Sequence, residues 1–284
     1  MSDFRKIGVI GGGQMGQGIA QTFAQNGFHV VVVDVVAQTL ARAQAQIKSN
    51  IEKWGKKKDW AEKKILAYLQ NLQYERELRA LSKADLVIEA VPEIFSLKKR
   101  VISEVCPYLQ PKAILASNTS SYSISALAAV SDRPEKFLGV HFMNPVPLMQ
   151  LVELIQTPRT DRAVFTRVKD LMATLGKVTV VSQNFPGFII NRVLMPMINE
   201  AIFALYEGVA EREDIDAGMR LGANHPMGPL ELADLIGLDT CLAVMERLHE
   251  GFADSKYRPC PLLRTYVEMG WLGRKSGKGF YEYG

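Results

Sequence analysis

Apolar runs alternate with amphipathic stretches through the first two thirds of the chain. Ile7-Gly8-Val9-Ile10 is apolar without polar alternation, the pattern of a short strand buried on both faces. Just after it, Ile19, Ala20, Phe23 and Ala24 recur at helical spacing, which predicts a helix from about Gly13 to Asn26 with Gly27 as its stop. Val30-Val31-Val32-Val33 predicts a second buried strand, ended by Asp34. Strand, glycine turn, helix and strand form one βαβ unit with parallel strands. A helical pattern then covers residues 38–71, more than one crossover needs; a break between Gly55 and Asp59 predicts a helical hairpin projecting from the sheet. Further strands are expected over residues 72–74, 86–89, 113–117, 137–142, 151–155 and 178–181, alternating with helices. The class is therefore α/β, a Rossmann-type doubly wound and mostly parallel sheet with an inserted helical hairpin.

The pattern changes after Pro186-Gly187. Residues 188–207 read as one long helix, bent at Pro196 and closed by Gly208. Shorter helices are expected over residues 215–221, 229–236, 239–252, with Asp239 as an N-cap, and 261–269. A last strand is expected at Phe280-Tyr281. The boundary falls near Asn184, so a sheet domain of residues 1–184 precedes an all-α domain of residues 185–284.

Composition narrows the class little. Of 284 residues, 48% are hydrophobic and 23% charged, as in ordinary globular proteins. No window approaches the ~20 apolar residues of a membrane helix, so no membrane partner is expected. The first residues run straight into a strand without a signal-like segment. Cys106, Cys241 and Cys260 have neither disulfide nor zinc spacing, which fits a reducing cytoplasm and no metal. A net charge of +4 is too mild to imply nucleic acid. It is unevenly spread: Lys48, Lys53, Lys56, Lys57, Lys58, Lys63 and Lys64 crowd the predicted hairpin, with only Trp54 and Trp60 interleaved and no nucleic-acid module.

Candidate chemistry begins at Gly11-Gly12-Gly13-Gln14-Met15-Gly16. A lone G-x-G-x-x-G is weak evidence, but here a strand precedes it, a helix follows it, and Asp34 ends the next strand. Gly11 permits a tight turn, Gly13 lets backbone approach a pyrophosphate, and Gly16 lets helix and strand pack closely. The helix start around Gln14 and Met15 supplies free N–H groups and the positive dipole end. Asp34 is suited to ribose hydroxyls and would repel a 2′-phosphate. Val35 and Val36 follow it and no arginine adjoins it, so NAD is favoured over NADP.

The second candidate is His141-Phe142-Met143-Asn144-Pro145-Val146-Pro147. His141 lies at the carboxyl end of a predicted strand, the edge where open α/β sheets place ligands. Glu153 interrupts Leu151-Val152-Glu153-Leu154-Ile155, where a charge is costly unless partnered. A carboxylate on one ring nitrogen would fix the tautomer of His141 and stabilise its imidazolium. Residues 116–121 offer small hydroxyls and an amide at the same sheet edge, and Asn191 lies one turn into the helix that opens the second domain.

These stretches, with Pro186-Gly187-Phe188-Ile189-Ile190-Asn191-Arg192, His225-Pro226-Met227-Gly228-Pro229 and residues 273–281, resemble the short-chain 3-hydroxyacyl-CoA dehydrogenases, most nearly their bacterial 3-hydroxybutyryl-CoA branch. The resemblance spans nearly the whole chain in order. It implies NAD-dependent interconversion of an (S)-3-hydroxyacyl-CoA and a 3-oxoacyl-CoA. It places Ser120, His141, Glu153 and Asn191 on the family's active-site positions, with Ser120 and Asn191 on the substrate oxygen. Asp34, Glu93, Lys98, Ser120, Asn144 and Lys275 fall on its cofactor-contacting positions. The lysine hairpin falls where the family binds coenzyme A, with Lys57 on its CoA lysine, Lys53 and Lys56 nearby, and Asn50 where some relatives have serine. Met143 replaces the commoner phenylalanine after Phe142. The resemblance implies a homodimer; Met195, Met197, Ile198, Ile202 and Phe203 exceed what one buried stripe needs, and either contribute to it or belong to the domain's own core. Two other readings share the plan: a dehydrogenase of free hydroxy or sugar acids, and a non-catalytic NAD-binding relative.

Overall fold

The structure, a computed structural model, describes residues 4–284. It divides into two compact units, one ending at Phe185 and the other beginning at Pro186.

In chain order the first unit runs β1 (Lys6–Ile10), α1 (Gln14–Gln25), β2 (His29–Val33), α2 (Ala37–Lys57), α3 (Glu62–Gln70), β3 (Leu72–Glu75), β4 (Leu86–Glu89), α4 (Phe95–Val105), β5 (Ile114–Ser117), α5 (Ile124–Ala128), β6 (Phe137–Phe142), β7 (Leu151–Gln156), α6 (Arg162–Thr174) and β8 (Val178–Gln183). The strands form an 8-stranded sheet in the order β3-β2-β1-β4-β5-β6-β7-β8. Reversal of strand order on either side of β1 is the doubly wound plan, with its ligand crevice at the carboxyl ends of the strands. All neighbours are parallel except β6 and β7, which pair antiparallel.

The apolar runs become central strands because both faces are covered. Ile7, Val9, Val30, Val32, Leu86, Ile88, Ile114, Ala116, Leu138 and Val140 share one core with Ile19, Ala20 and Phe23 of α1. Phe23 meets Phe28 and Phe142 edge-on, with ring centroids 5.6 Å and 6.5 Å apart. The hairpin α2–α3 turns over residues 58–61, where Asp59 takes a left-handed conformation. Gly55 lies inside α2, not in the break. A Cβ there would sit 2.5 Å from Ile65 Cδ1, so glycine is what lets the two helices approach closely.

The second unit is helical: α7 (Ile190–Tyr206), α8 (Arg212–Ala217), α9 (Pro229–Ile236), α10 (Leu238–Phe252) and α11 (Pro261–Glu268). Four expectations change here. The long helix starts at Ile190, because Gly187 and Phe188 both have positive φ (75° and 51°) and cannot continue a helix. The helix expected over residues 215–221 begins earlier, at Arg212, and ends in a π-type turn over Gly218–Gly222. Asp239 is not an N-cap: α10 starts one residue earlier, after Gly237 (φ 102°), so Asp239 is already helical. Phe280-Tyr281 is not a strand. Its backbone N–H groups are taken by Asp234 Oδ1 and Oδ2 at 2.9 Å each. Met195, Ile198, Ile202 and Phe203 are buried in this unit's own core, so they provide no argument for a subunit interface.

Candidate active site

The glycine motif joins β1 to α1. Gly11 (φ 110°) turns the chain against the backbone of Ala90, and its N–H donates to Val33 O at 2.8 Å. A Cβ on Gly16 would collide with the Gly11 carbonyl oxygen, so the first helical turn can lie against the loop only if that residue is glycine. Gly13 differs. Its backbone is ordinary (φ −70°, ψ −175°) and a Cβ there would meet nothing within 4 Å. Glycine is not needed at Gly13 for folding; it keeps open the space before the N-terminus of α1, where Gly13 and Gln14 are exposed. Asp34 closes the other side, its Oδ2 accepting from Gly12 N and its Oδ1 from Val36 N, both at 2.9 Å. An open glycine backbone, a helix N-terminus and a carboxylate at the next strand end suit a dinucleotide. The sequence shows no arginine adjoining Asp34, but the fold brings one near: Arg76, just past β3, donates to Val35 O at 3.3 Å.

The ends of β4 and β5 hold a polar network that the sequence reading treats only in part. Glu89, the last residue of β4, is fully buried. Its Oε1 accepts from Val91 N at 2.8 Å and Lys98 Nζ at 2.9 Å, and its Oε2 from Ser117 Oγ at 2.6 Å. Lys98 also donates to Val91 O at 3.1 Å and pairs with Glu93 Oε2 at 3.1 Å. With its three donors so placed and its side chain only 2% exposed, Lys98 reaches the sheet edge through Glu93. Glu93 Oε1 accepts from Thr119 Oγ1 at 2.5 Å, Ser121 Oγ at 2.9 Å and Ser120 N at 3.2 Å. Desolvation alone would push the Glu93 carboxyl up, but the Lys98 ammonium with the Thr119 and Ser121 hydroxyls outweighs it and holds the group below the usual range. Asn118 ties this corner to β6 by accepting from Phe142 N at 2.9 Å.

His141 and Glu153 are facing residues of the β6–β7 pair. His141 Nδ1 and Glu153 Oε2 are 2.7 Å apart, with Glu153 fully buried and His141 8% exposed. The segment after β6 is held to the glycine motif: Gln14 Nε2 donates to Asn144 Oδ1 at 3.2 Å, so two of the expected cofactor contacts meet. The same segment lies on α1, where a Cβ on Gly18 would come 2.9 Å from Val146 Cβ. It is pinned from beneath by Lys177, whose Nζ donates to Val146 O at 2.6 Å and Met149 O at 2.7 Å. Burial lowers the Lys177 pKa. Nothing in the sequence pattern singles out Lys177 or Glu89, whereas Ser117 falls within the hydroxyl-rich stretch of residues 116–121.

On the hairpin, Lys53, Lys56 and Lys57 are exposed along α2. Asn50 is turned inward, donating to Gln21 Oε1 at 3.3 Å and accepting from Gln46 at 2.9 Å. Lys58 and Lys64 lie over Trp60, 5.9 Å and 5.1 Å from its ring centroid. In the second unit, Asn191 occupies the second position of α7. Lys275 is exposed and pairs with Asp239 Oδ1 at 2.5 Å.

Comparison with known proteins gives a consistent result. The sequence profile of the 3-hydroxyacyl-CoA dehydrogenase NAD binding domain matches residues 6–185, and that of the 3-hydroxyacyl-CoA dehydrogenase C-terminal domain matches residues 187–283. The chain is 56% identical to a 3-hydroxybutyryl-CoA dehydrogenase of Bradyrhizobium diazoefficiens, covering 98% of this chain and 95% of that one. It is 39% identical to the mitochondrial hydroxyacyl-coenzyme A dehydrogenase of Rattus norvegicus, over 98% and 91% of the two chains. The crystal structure of (S)-3-hydroxybutyryl-CoA dehydrogenase from Ralstonia eutropha superposes with a TM-score of 0.96 at 45% identity, covering 99% of this chain and 100% of that one.

Proposed function

The chain belongs to the 3-hydroxyacyl-CoA dehydrogenase family, and from that premise we propose that it is an NAD-dependent 3-hydroxybutyryl-CoA dehydrogenase in which His141 carries the proton. It interconverts (S)-3-hydroxybutyryl-CoA and acetoacetyl-CoA. The observation that carries the proton assignment is the 2.7 Å contact between His141 Nδ1 and buried Glu153 at the carboxyl edge of the sheet.

The glycine motif, Gln14, Met15, Asp34, Glu93 and Asn144 hold the cofactor, with Lys98 acting behind Glu93. NAD, when bound, supplies the hydride acceptor or donor. With Nδ1 given to Glu153, proton exchange falls to Nε2 of His141. In the oxidative direction Nε2 takes the hydroxyl proton, and Glu153 offsets the charge that grows on the ring; in reverse the imidazolium returns it. Such general acid–base assistance contributes about 10²–10⁴-fold. Ser120 and Asn191 are assigned to the C3 oxygen of the substrate, fixing the reacting carbon. Exposed Lys53, Lys56 and Lys57 are assigned to CoA phosphates, which suit mobile point charges. Asn50 has a weaker claim, since it is tied to Gln21 and Gln46.

Lys275, exposed and paired with Asp239, is assigned to the cofactor as a further cation. A homodimer and a cytoplasmic setting complete the reading. The second unit exposes Val193, Val209 and Leu221 at 68%, 73% and 86%, apolar surface that a second copy would cover. Light scattering at twice the monomer mass supports the dimer, and at the monomer mass refutes it.

The test is NADH oxidation with acetoacetyl-CoA in wild type and His141→Gln, with NADPH and free acetoacetate as controls. Glutamine is chosen over alanine because its side-chain amide can donate to buried Glu153 in place of the imidazole while lacking a group that carries the proton. Fast CoA-dependent turnover that collapses in the variant is the expected result. A wild type without turnover, or one equally fast on free acetoacetate, refutes it.

A further inference from the structure

We propose that Glu89 is a positioning residue for cofactor binding: acting through Lys98 and Ser117, it sets the carboxylate of Glu93 and the turn of residues 119–121. The inference rests on the functional reading above, which puts the cofactor against Glu93.

The contacts close into a ring. Lys98 Nζ links Glu89 Oε1 to Glu93 Oε2, at 2.9 Å and 3.1 Å. Thr119 Oγ1 donates to the other oxygen of Glu93 at 2.5 Å. Thr119 N donates to Ser117 Oγ at 3.2 Å, and Ser117 Oγ donates to the other oxygen of Glu89 at 2.6 Å. Each carboxylate thus spends both oxygens on ring members, one side ionic and the other through hydroxyls. Neither carboxylate can shift without breaking a bond on each side.

The ring is graded in exposure. Glu89 and Lys98 are buried, while the Glu93 side chain is 38% exposed. Two carboxylates and one ammonium leave one net negative charge, and the solvent-facing member is Glu93. A charge-assisted acceptor is thereby held at the sheet edge, ready for ribose hydroxyls without reorganising when the ligand arrives. A strand end that needed only a cap would not need a buried charge. Glu89 is there to share Lys98. Left with Glu93 alone, the ammonium would draw that carboxylate inward and away from Thr119, Ser120 and Ser121.

The test is NADH affinity by fluorescence titration, with free CoA affinity and melting temperature measured alongside, for wild type, Glu89→Gln and Ser117→Ala. Glu89→Gln is expected to weaken NADH binding about tenfold and raise KM for NADH, with less than about twofold change in CoA affinity and in KM for acetoacetyl-CoA. Ser117→Ala removes one hydroxyl and leaves the Lys98–Glu89 ion pair in place, so it reports on the ring even if Glu89→Gln fails to fold. About threefold weaker NADH binding is expected of it. Variants that melt earlier yet bind NADH as wild type does would make the ring purely structural and overturn the inference while the functional reading stands. Wild type that neither binds NADH nor reduces acetoacetyl-CoA would overturn both.

Discussion

His141 and Glu153 face each other across the antiparallel β6–β7 pair, Nδ1 to Oε2 at 2.7 Å. The reversal of strand direction at this point in the sheet makes the contact possible. β6 delivers His141 to the carboxyl edge, and β7 returns from that edge with Glu153 at the facing position. Because Glu153 is fully buried and, in the proposed mechanism, acts through His141, the two should behave as one unit. Glu153→Gln is expected to lower kcat about 10²-fold, His141→Gln at least as much, and the double variant little more than His141→Gln alone. Multiplying effects in the double variant would show that Glu153 works independently of the imidazole.

Gly13 and Gly16 separate folding from binding within one motif. A Cβ on Gly16 would strike the Gly11 carbonyl, whereas one on Gly13 meets nothing within 4 Å. Gly16→Ala is therefore expected to destabilise the protein by about 1–3 kcal/mol, seen as a lower urea midpoint. Gly13→Ala should leave that midpoint within about 0.5 kcal/mol of wild type and still weaken NADH binding, since only the cofactor would meet the new methyl. Equal unfolding midpoints for the two variants would contradict this division.

How far the sequence could be read follows from sequence distance. The parallel sheet, the glycine motif and the helical second unit were legible because period, punctuation and strand ends are local. The pairing of His141 with Glu153 was legible because a charge inside an apolar run demands a partner and consecutive strands tend to be neighbours. Glu89 was not, since a polar residue at a strand end is unremarkable until Ser117 and Lys98 are seen around it. Arg76 was missed for the same reason: it approaches Val35 only because β3 pairs with β2. Asp239 resembles a cap in sequence, but the helix starts at Leu238, behind Gly237 with φ 102° as its N-cap.

Arg76 makes a prediction about cofactor choice. Asp34 holds its carboxylate with both oxygens on Gly12 and Val36, and Arg76 lies over the next carbonyl. Asp34→Ser removes the charge that repels a 2′-phosphate and leaves the arginine to attract one. The ratio of kcat/KM for NADPH over NADH is expected to rise about tenfold or more, and most of that gain should vanish in Asp34→Ser/Arg76→Ala. If the gain survives without Arg76, the arginine is a bystander.

Two carboxyl groups give the acid stability profile opposite contributions. Asp234, which accepts from Phe280 N, Tyr281 N and Tyr283 Oη, has a raised pKa; desolvation is the main cause, and the charge of Asp216 adds to it. Its native form therefore takes up a proton more readily than its unfolded form, and its contribution to stability falls as pH rises through the folded pKa. Glu93 is lowered instead, by Lys98 and hydroxyl donors that outweigh desolvation. Its contribution is fully present above the unfolded carboxylate value and is lost as pH falls through the folded one. Glu93→Gln should thus flatten the loss of stability between about pH 5 and pH 3, with the variant nearer to wild type at the acid end than at neutrality. Urea midpoints at these pH values check it, and a constant difference between variant and wild type would mean that the charge on Glu93 does not stabilise the fold.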